Sequence, residues 1–155
     1  MPALTDRRTA LFAIGGVILA ASFAAARKQP PDRTHIVVPE IDNATALARL
    51  AAGALAIDVR DAEFFNEKHL PGALLVPIIT LRLAIPAVLA DATAQPIIVY
   101  CGDGVSSGPE ATQILQRHGF KNAMNLTAGL DGWSSDGHPV VRGSDTGSVK
   151  GRNKG

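Results

Sequence analysis

Apolar and polar positions follow one another in blocks that predict alternating strands and helices along most of the chain. Short apolar blocks rich in Val and Ile, without an alternating polar pattern, are typical of strands that a parallel sheet buries on both faces. The predicted strands are residues 35–38, 54–59, 73–76, 95–100 and 122–126.

Helical segments separate these strands. The first helix can be capped by Asp42 or Asn43 and ends at Gly53, because glycine accepts the left-handed backbone that closes a helix. The remaining helices are 61–67 with Phe64 and Phe65 facing inward, 79–92 interrupted by Pro86, 109–118, and a terminal turn from 129–133. This alternation predicts an α/β fold in which a parallel sheet carries helices on both faces.

An apolar segment precedes the predicted domain. Residues 10–26 come after two consecutive arginines, and a helix of this length spans roughly 25 Å, slightly less than the ~30 Å hydrocarbon core of a bilayer. We predict a hydrophobic helix that is either a signal peptide cleaved after the small residues 24–26 or an uncleaved membrane anchor. Arg27 and Lys28 disfavour translocation of the C-terminal side of this segment. The predicted location is the periplasm or the cytoplasmic membrane.

The 155 residues divide into four predicted segments: 1–26 as signal peptide or membrane anchor, 27–34 as linker, 35–141 as the domain and 142–155 as a flexible basic tail. The formal net charge is +1, and the basic residues are not interleaved with aromatic ones. Nucleic-acid binding is therefore not predicted. A single cysteine excludes an intrachain disulfide and a multi-cysteine zinc site.

That cysteine, Cys101, directly follows the most apolar predicted strand. It begins the loop Cys-Gly-Asp-Gly-Val-Ser-Ser at 101–107, after which Ser106 or Ser107 can cap a helix that has Pro109 in its first turn. Because ligands bind at the carboxyl ends of strands in open α/β sheets, Cys101 is expected to lie where a substrate binds.

The loop is rich in glycine. Gly102, Gly104 and Gly108 allow its backbone to curl so that several N–H groups point inward. Such a nest, with a helix N-terminus behind it, favours an anion at its centre and hence the nucleophilic thiolate of Cys101. A lone cysteine is more commonly a small buried hydrophobe, but this loop favours a reactive role. Asp103 opposes it, since a carboxylate within ~6 Å disfavours a second negative charge.

These residues resemble the active-site loop of the rhodanese (sulfurtransferase) family, in which some single-domain members carry the pattern C-x-x-G-x-S-S. Three further segments resemble family signatures in the same order. Residues 57–60 are similar to the strand-end Asp-Val-Arg, residues 67–73 to Gly-His-Ile-Pro-Gly-Ala, and residues 126–133 to the terminal Gly-Gly-x-x-x-Trp. Together the four motifs extend across the predicted domain.

The resemblance implies a rhodanese-like sheet and sulfur transfer. The Cys101 thiolate would take the outer sulfur of a small donor such as thiosulfate as a persulfide, and a thiol, a cyanide-like acceptor or a protein acceptor would then remove it. No cofactor, metal or nucleic acid is expected as a partner. The implied site also contains Gly102, Asp103, Gly104, Val105, Ser106 and Ser107 in the loop, supported by Asp58, Arg60 and His69.

The supporting residues have structural interpretations as well. Asp58, at a strand end, is expected to hold loops by hydrogen bonds rather than to perform acid–base chemistry. Arg60 is expected either to face a substrate anion or to pair with Glu63. His69 precedes a Pro-Gly turn and is expected to anchor the backbone rather than act as a base.

Two other functions stay open. A phosphatase or arsenate reductase can share this fold, but that chemistry resembles a cysteine followed six positions later by an arginine, where this chain has Ser107. A non-enzymatic persulfide carrier, or a membrane-associated binding module, would present sulfur to a partner. Asp103 favours this alternative, because many relatives that use thiosulfate have Arg or Lys in the loop and a carboxylate repels that anion.

Overall fold

A five-stranded parallel sheet forms the centre of the domain in the computed structural model, which describes residues 36–147. The strands are β1 (Glu40–Ile41), β2 (Leu55–Asp58), β3 (Leu74–Leu75), β4 (Ile97–Tyr100) and β5 (Ala123–Leu126). They lie in the order β1-β5-β4-β2-β3, with every neighbouring pair parallel. The prediction of an α/β fold with a parallel sheet is confirmed, and β4, which precedes Cys101, is the central strand.

Helices cover both faces of this sheet. They are α1 (Asn43–Ala51), α2 (Ala62–Glu67), α3 (Ile78–Leu83), α4 (Gly108–Arg117) and α5 (Gly129–Ser135), with a 3₁₀ turn at Ala87–Leu89. Side chains of α3 and α4 pack in one core cluster, and those of α1, α2 and α5 pack in the other. Asp42 caps α1 as predicted, accepting the N–H of Thr45 at 2.8 Å.

The apolar run of β4 serves both cores. Ile97 and Val99 point toward the cluster under α3 and α4, whereas Ile98 and Tyr100 point toward the opposite cluster. Because successive side chains of a strand point to opposite faces, a strand covered on both sides needs an apolar residue at every position. Cys101 continues the Ile97 and Val99 side, which directs its sulfur toward α4.

Two local predictions are wrong. Residues 36–38 of the strand predicted at 35–38 are not a strand; β1 begins after Pro39, and the Pro39 carbonyl accepts the N–H of Asn125 at 2.9 Å. Proline is tolerated there because β1 is an edge strand. In α2 only Phe65 is buried and Phe64 is 50% exposed, since adjacent side chains of a helix point about 100° apart.

Residues 142–147, the first part of the predicted tail, lie along the edge strand β3. The Gly147 N–H donates to the Ala73 carbonyl at 2.7 Å, and the Leu75 N–H donates to the Thr146 hydroxyl at 3.2 Å. This part of the chain is therefore fastened to the sheet, in contrast to the free tail that its composition predicts.

The predicted hydrophobic helix and linker, residues 1–34, and the tail beyond residue 147 lie outside the described residues. Among residues 36–147, no helix combines the length and the apolarity needed to cross a bilayer.

Candidate active site

Cys101 lies at the carboxyl end of β4, where the loop to α4 begins. Its side chain is 1% exposed, and its carbonyl oxygen accepts the N–H of Leu130 in the first turn of α5 at 2.9 Å. The thiol donates to Oδ1 of Asp103 at 3.3 Å, and the Ser106 hydroxyl donates to Sγ at 3.6 Å. The sulfur thus lies at the carboxyl end of the sheet, as predicted, and the loop that begins at Cys101 covers it.

The loop does present converging N–H donors, but a carboxylate receives them rather than the sulfur. Oδ1 of Asp103 accepts the N–H groups of Val105 at 3.0 Å and Ser106 at 2.9 Å. Partial burial acts to raise the pKa of Asp103, but these hydrogen bonds, with that from the Cys101 thiol, outweigh it and lower the pKa to about 2. The N–H groups of the predicted nest therefore bind the Asp103 carboxylate rather than the Cys101 sulfur.

The predicted serine cap of α4 is also wrong. Ser107 occupies the N-cap position but makes no side-chain capping bond. The Ser106 hydroxyl is directed to the sulfur instead. Pro109 does lie in the first turn, as predicted. The hydroxyl thereby becomes a donor for Sγ of Cys101.

Close backbone packing holds the loop against the start of α5. Gly104 has φ +79°, and a β-carbon there would collide with the Thr127 carbonyl. Gly129 has φ +57°, and a β-carbon there would collide with the backbone of Gly102 and Gly104. The Asn125 amide, fully buried on β5, donates to the Gly104 carbonyl at 2.8 Å. Glycine is needed at both contacts because each requires positive φ and a missing side chain.

Asp58 and Arg60 form a buried ion pair beside this loop. Nη2 of Arg60 lies 2.6 Å from Oδ2 of Asp58, and Nε lies 3.0 Å from Oδ1. Nη2 also donates to the Lys68 carbonyl at 2.8 Å. Burial lowers the pKa of Arg60, but the hydrogen bond and charge of Asp58 outweigh it, so that the pKa is raised. Arg60 therefore pairs with Asp58, and the predicted pairing with Glu63 is wrong.

His69 is fully buried between α2 and the C-terminal segment. Its ring stacks on Phe65 at a centroid distance of 3.6 Å, with Nδ1 at 2.8 Å from the Phe65 carbonyl and Nε2 at 3.1 Å from the Asp145 carbonyl. Its backbone also bridges Val141 in antiparallel fashion. These partners give His69 the anchoring contacts that the sequence predicts.

A cavity of about 420 Å³ opens beside the Cys101 loop. It is bounded by both ends of the loop, by the end of β2 and by α2 and α3. Its lining residues are Val59, Arg60, Asp61, Phe64, Glu67, Lys68, Ile78, Gly102, Ser107 and Asp131. The predicted residues Arg60, Gly102 and Ser107 therefore meet in one place, whereas the other predicted site residues, including the buried Cys101, Asp58 and His69, do not line the cavity.

Sequence reasoning missed several residues of this site. Asn125 carried a usable signal, because an amide in a strand that is otherwise apolar must find a buried partner. Phe64 and Asp131 carried none, since they are distant from Cys101 in sequence and only the fold brings them, with Lys68, to one cavity.

Comparison with known proteins identifies the family. A model of the rhodanese-like domain matches residues 42–136, which is more than half of the chain. The match covers every described strand after β1 and all five helices. This chain belongs to the rhodanese family, as its motifs predict.

Three relatives show the range of proteins that share this domain. A sulfurtransferase of Allochromatium vinosum is 27% identical over 107 residues, which are 68% of this chain and 96% of that protein. The crystal structure of a Pseudomonas aeruginosa thiosulfate sulfurtransferase has a TM-score of 0.59 and 30% identity, and covers 68% of this chain but only 20% of that one. Arsenate reductase 2.1 of Oryza sativa is 29% identical over 110 residues, 64% of this chain and 68% of that protein.

Proposed function

We propose that this protein is a sulfurtransferase that carries a sulfane sulfur on Cys101 from a donor such as thiosulfate to a nucleophilic acceptor. The observation that carries the proposal is the position of the only cysteine, at the carboxyl end of the central strand and in a loop that bounds a cavity. The similarity to two sulfurtransferases supports it.

The reaction has two steps. The Cys101 thiolate attacks the outer sulfur of thiosulfate, the S–S bond of the donor breaks, and its electron pair leaves with sulfite. A thiol or a cyanide-like acceptor then attacks the outer sulfur of the persulfide and releases the thiolate. The Ser106 hydroxyl, 3.6 Å from Sγ, stabilises negative charge on the sulfur. The N-terminus of α4, which follows the loop, contributes in the same direction.

A persulfide carrier that delivers sulfur to a protein partner is the second candidate. It is favoured by the Asp103 carboxylate, which lies 3.3 Å from Sγ and opposes the approach of a dianionic donor. Arsenate reduction or phosphatase chemistry is less well supported, because Ser107 stands where an arginine would hold the oxyanion.

Intact-mass spectrometry tests the proposal. The protein is incubated with thiosulfate, and separately with an organic persulfide, beside a Cys101→Ser control. We expect the native protein alone to gain the mass of one sulfur atom and to lose it to added thiol. Sulfur gained only from the persulfide, without turnover, would indicate a carrier. No gain from either donor would refute both candidates.

We also propose that the domain works outside the cytoplasm or at the membrane, on the basis of the apolar residues 10–26. Fractionation of cells that produce the full chain, followed by N-terminal sequencing, tests this. A cleaved periplasmic form would support the signal peptide, and an intact chain in the membrane fraction would support the anchor. An intact chain in the cytosol would contradict both.

A further inference from the structure

The cavity beside Cys101 has an apolar wall. Phe64, Ile78 and Val59 line it, and the Phe64 ring is half exposed there rather than packed into the core. A large ring left partly in water is stabilised when an apolar ligand covers it. The volume of about 420 Å³ also lies in the range of ~300–1,000 Å³ that holds small organic molecules. Both features exceed what a small inorganic anion needs.

The charges around the cavity do not favour a dianion. The Arg60 guanidinium is neutralised by the Asp58 carboxylate, and the Lys68 ammonium lies 3.5 Å from Asp131. Two more carboxylates, Asp61 and Glu67, line the same cavity, and Asp103 is added from the loop. Among the described residues around this cavity, carboxylates therefore outnumber cations. Each additional negative charge on a donor makes its binding less favourable.

Resting on the persulfide function proposed above, we propose that the donor is an organic sulfane-sulfur compound with an apolar body and a single negative charge, and that Phe64 determines this specificity by packing against that body. Phe64 acts on the bound donor, and the sulfur chemistry stays with Cys101.

An aryl thiosulfonate is a suitable probe of this class. The Cys101 thiolate attacks the terminal sulfur of the benzenethiosulfonate anion, the S–S bond breaks, and its electron pair leaves with benzenesulfinate. One negative charge enters with the donor and one leaves with the sulfinate, while the persulfide keeps the charge of the thiolate. The step needs no oxidant or reductant.

Three donors separate the two parts of the proposal. Benzenethiosulfonate and methanethiosulfonate share a charge and a type of leaving group and differ in the apolar body. Thiosulfate differs from methanethiosulfonate in its extra charge. The rate of each donor with a small-molecule thiol corrects for intrinsic reactivity. We expect the corrected kcat/KM of the full chain to be about tenfold higher for the benzene compound than for the methane compound, and about fivefold lower for thiosulfate.

The Phe64→Ala variant tests the assigned residue. It should lose the preference for the benzene compound, with a fall of about tenfold in its kcat/KM, and the values for the two small donors should fall by much less. Leu83→Ala is the matched control, because Leu83 is 83% exposed and does not line the cavity. Circular dichroism checks that both variants are folded.

The outcomes separate this inference from the function on which it rests. Equal corrected values for the two thiosulfonates, or an equal fall for all three donors in Phe64→Ala, would overturn the specificity assignment while the persulfide function stands. If no donor adds sulfur to Cys101, the persulfide function itself is refuted, and the assignment falls with it.

Discussion

At the scale of single residues, the Asp103 carboxylate is the charged group that lies next to the Cys101 sulfur. A glycine-rich loop before a helix ordinarily offers its N–H groups to a bound anion or to a thiolate. Here the Asp103 carboxylate accepts two of them and the thiol hydrogen as well. Three donors on one oxygen keep the loop closed over the sulfur and place a negative charge beside it.

Asp103→Asn should therefore make Cys101 more reactive. The amide oxygen can still accept the two N–H groups, but the charge is gone, and two unit charges about 4 Å apart in water repel by about 1 kcal/mol. We expect the rate of alkylation of Cys101 by iodoacetamide at neutral pH to rise about fivefold. Because hydrogen bonding lowers the pKa of Asp103 to about 2, the native carboxyl stays ionised under mildly acidic conditions. The ratio of the alkylation rate of the variant to that of the native protein should therefore not change there.

The Asp103→Ala variant controls for loop structure, since alanine removes the charge and the hydrogen bonds together. A slower reaction of the asparagine variant than of the native protein would contradict the charge effect. Equal acceleration in both variants would assign it to the lost charge alone, whereas a faster reaction of the alanine variant than of the asparagine variant would assign the difference to loop opening.

At the scale of elements, the site depends on contacts that join separate parts of the chain. The buried pair of Asp58 and Arg60 connects the end of β2 to the carbonyl of Lys68 in the cavity wall. Arg60→Ala would leave the buried Asp58 carboxylate without its charged partner, although the backbone N–H of residue 60 would still donate to it. Removing one member of a buried pair costs about 3 kcal/mol or more, so the free energy of unfolding, measured in urea, should fall by that amount.

Arg82→Ala provides the matched control for this pair. Arg82 binds Glu110 with a similar two-point geometry, at 2.7 and 2.8 Å. Its side chain, however, is 34% exposed, compared with 11% for Arg60. An exposed pair contributes less than about 1 kcal/mol. Equal losses of stability in the two variants would refute the importance of burial.

The contact between the Cys101 loop and α5 depends on glycine. Gly104→Ala would place a methyl group against the Thr127 carbonyl at φ +79°, so the loop must move away from α5. Gly53→Ala is the control, because Gly53 also has positive φ, +95°, but faces open space. We expect Gly53→Ala to cost about 1–2 kcal/mol from the backbone alone. Gly104→Ala should cost more and should also increase alkylation of Cys101. Equal free energies of unfolding for the two variants would contradict the conclusion that Gly104 is needed for close packing against Thr127.

At the scale of the whole molecule, the C-terminal segment completes the domain. Residues 142–147 cover β3, an edge strand whose unpaired backbone groups would otherwise be open to another chain. His69 joins the same segment through Asp145. The domain therefore extends beyond residue 141, where the sequence pattern predicts its end.

Truncation tests this extension. A chain that ends at Val141 loses six hydrogen bonds of the described residues, made by Arg142, Gly143, Asp145, Thr146 (two) and Gly147. At about 0.5–1 kcal/mol for each hydrogen bond, we expect its free energy of unfolding to fall by about 3–6 kcal/mol and its tendency to self-associate, followed by light scattering, to rise. A chain that ends at Gly147 keeps these bonds and should match the full chain. Equal stability of the two truncated forms would refute the role of the segment.

The sequence by itself determined the architecture and the position of the Cys101 sulfur atom. Strands that are buried on both faces must be apolar throughout, so β2, β4 and β5 are visible as continuous runs. The carboxyl end of β4 follows from the same run, and it places Cys101 at the edge of the sheet where ligands bind. These features are local, because a strand and the loop that comes after it are contiguous in the chain.

Only the tertiary structure decided the surroundings of that atom. The partner of Arg60 and the position of Phe64 depend on which segments meet in space, and so does the docking of residues 142–147 on β3. The direction of each loop N–H depends on backbone torsions that residue types do not specify. Asp103 could therefore be placed near Cys101 from the sequence, whereas its occupation of the nest could be seen only in the folded chain.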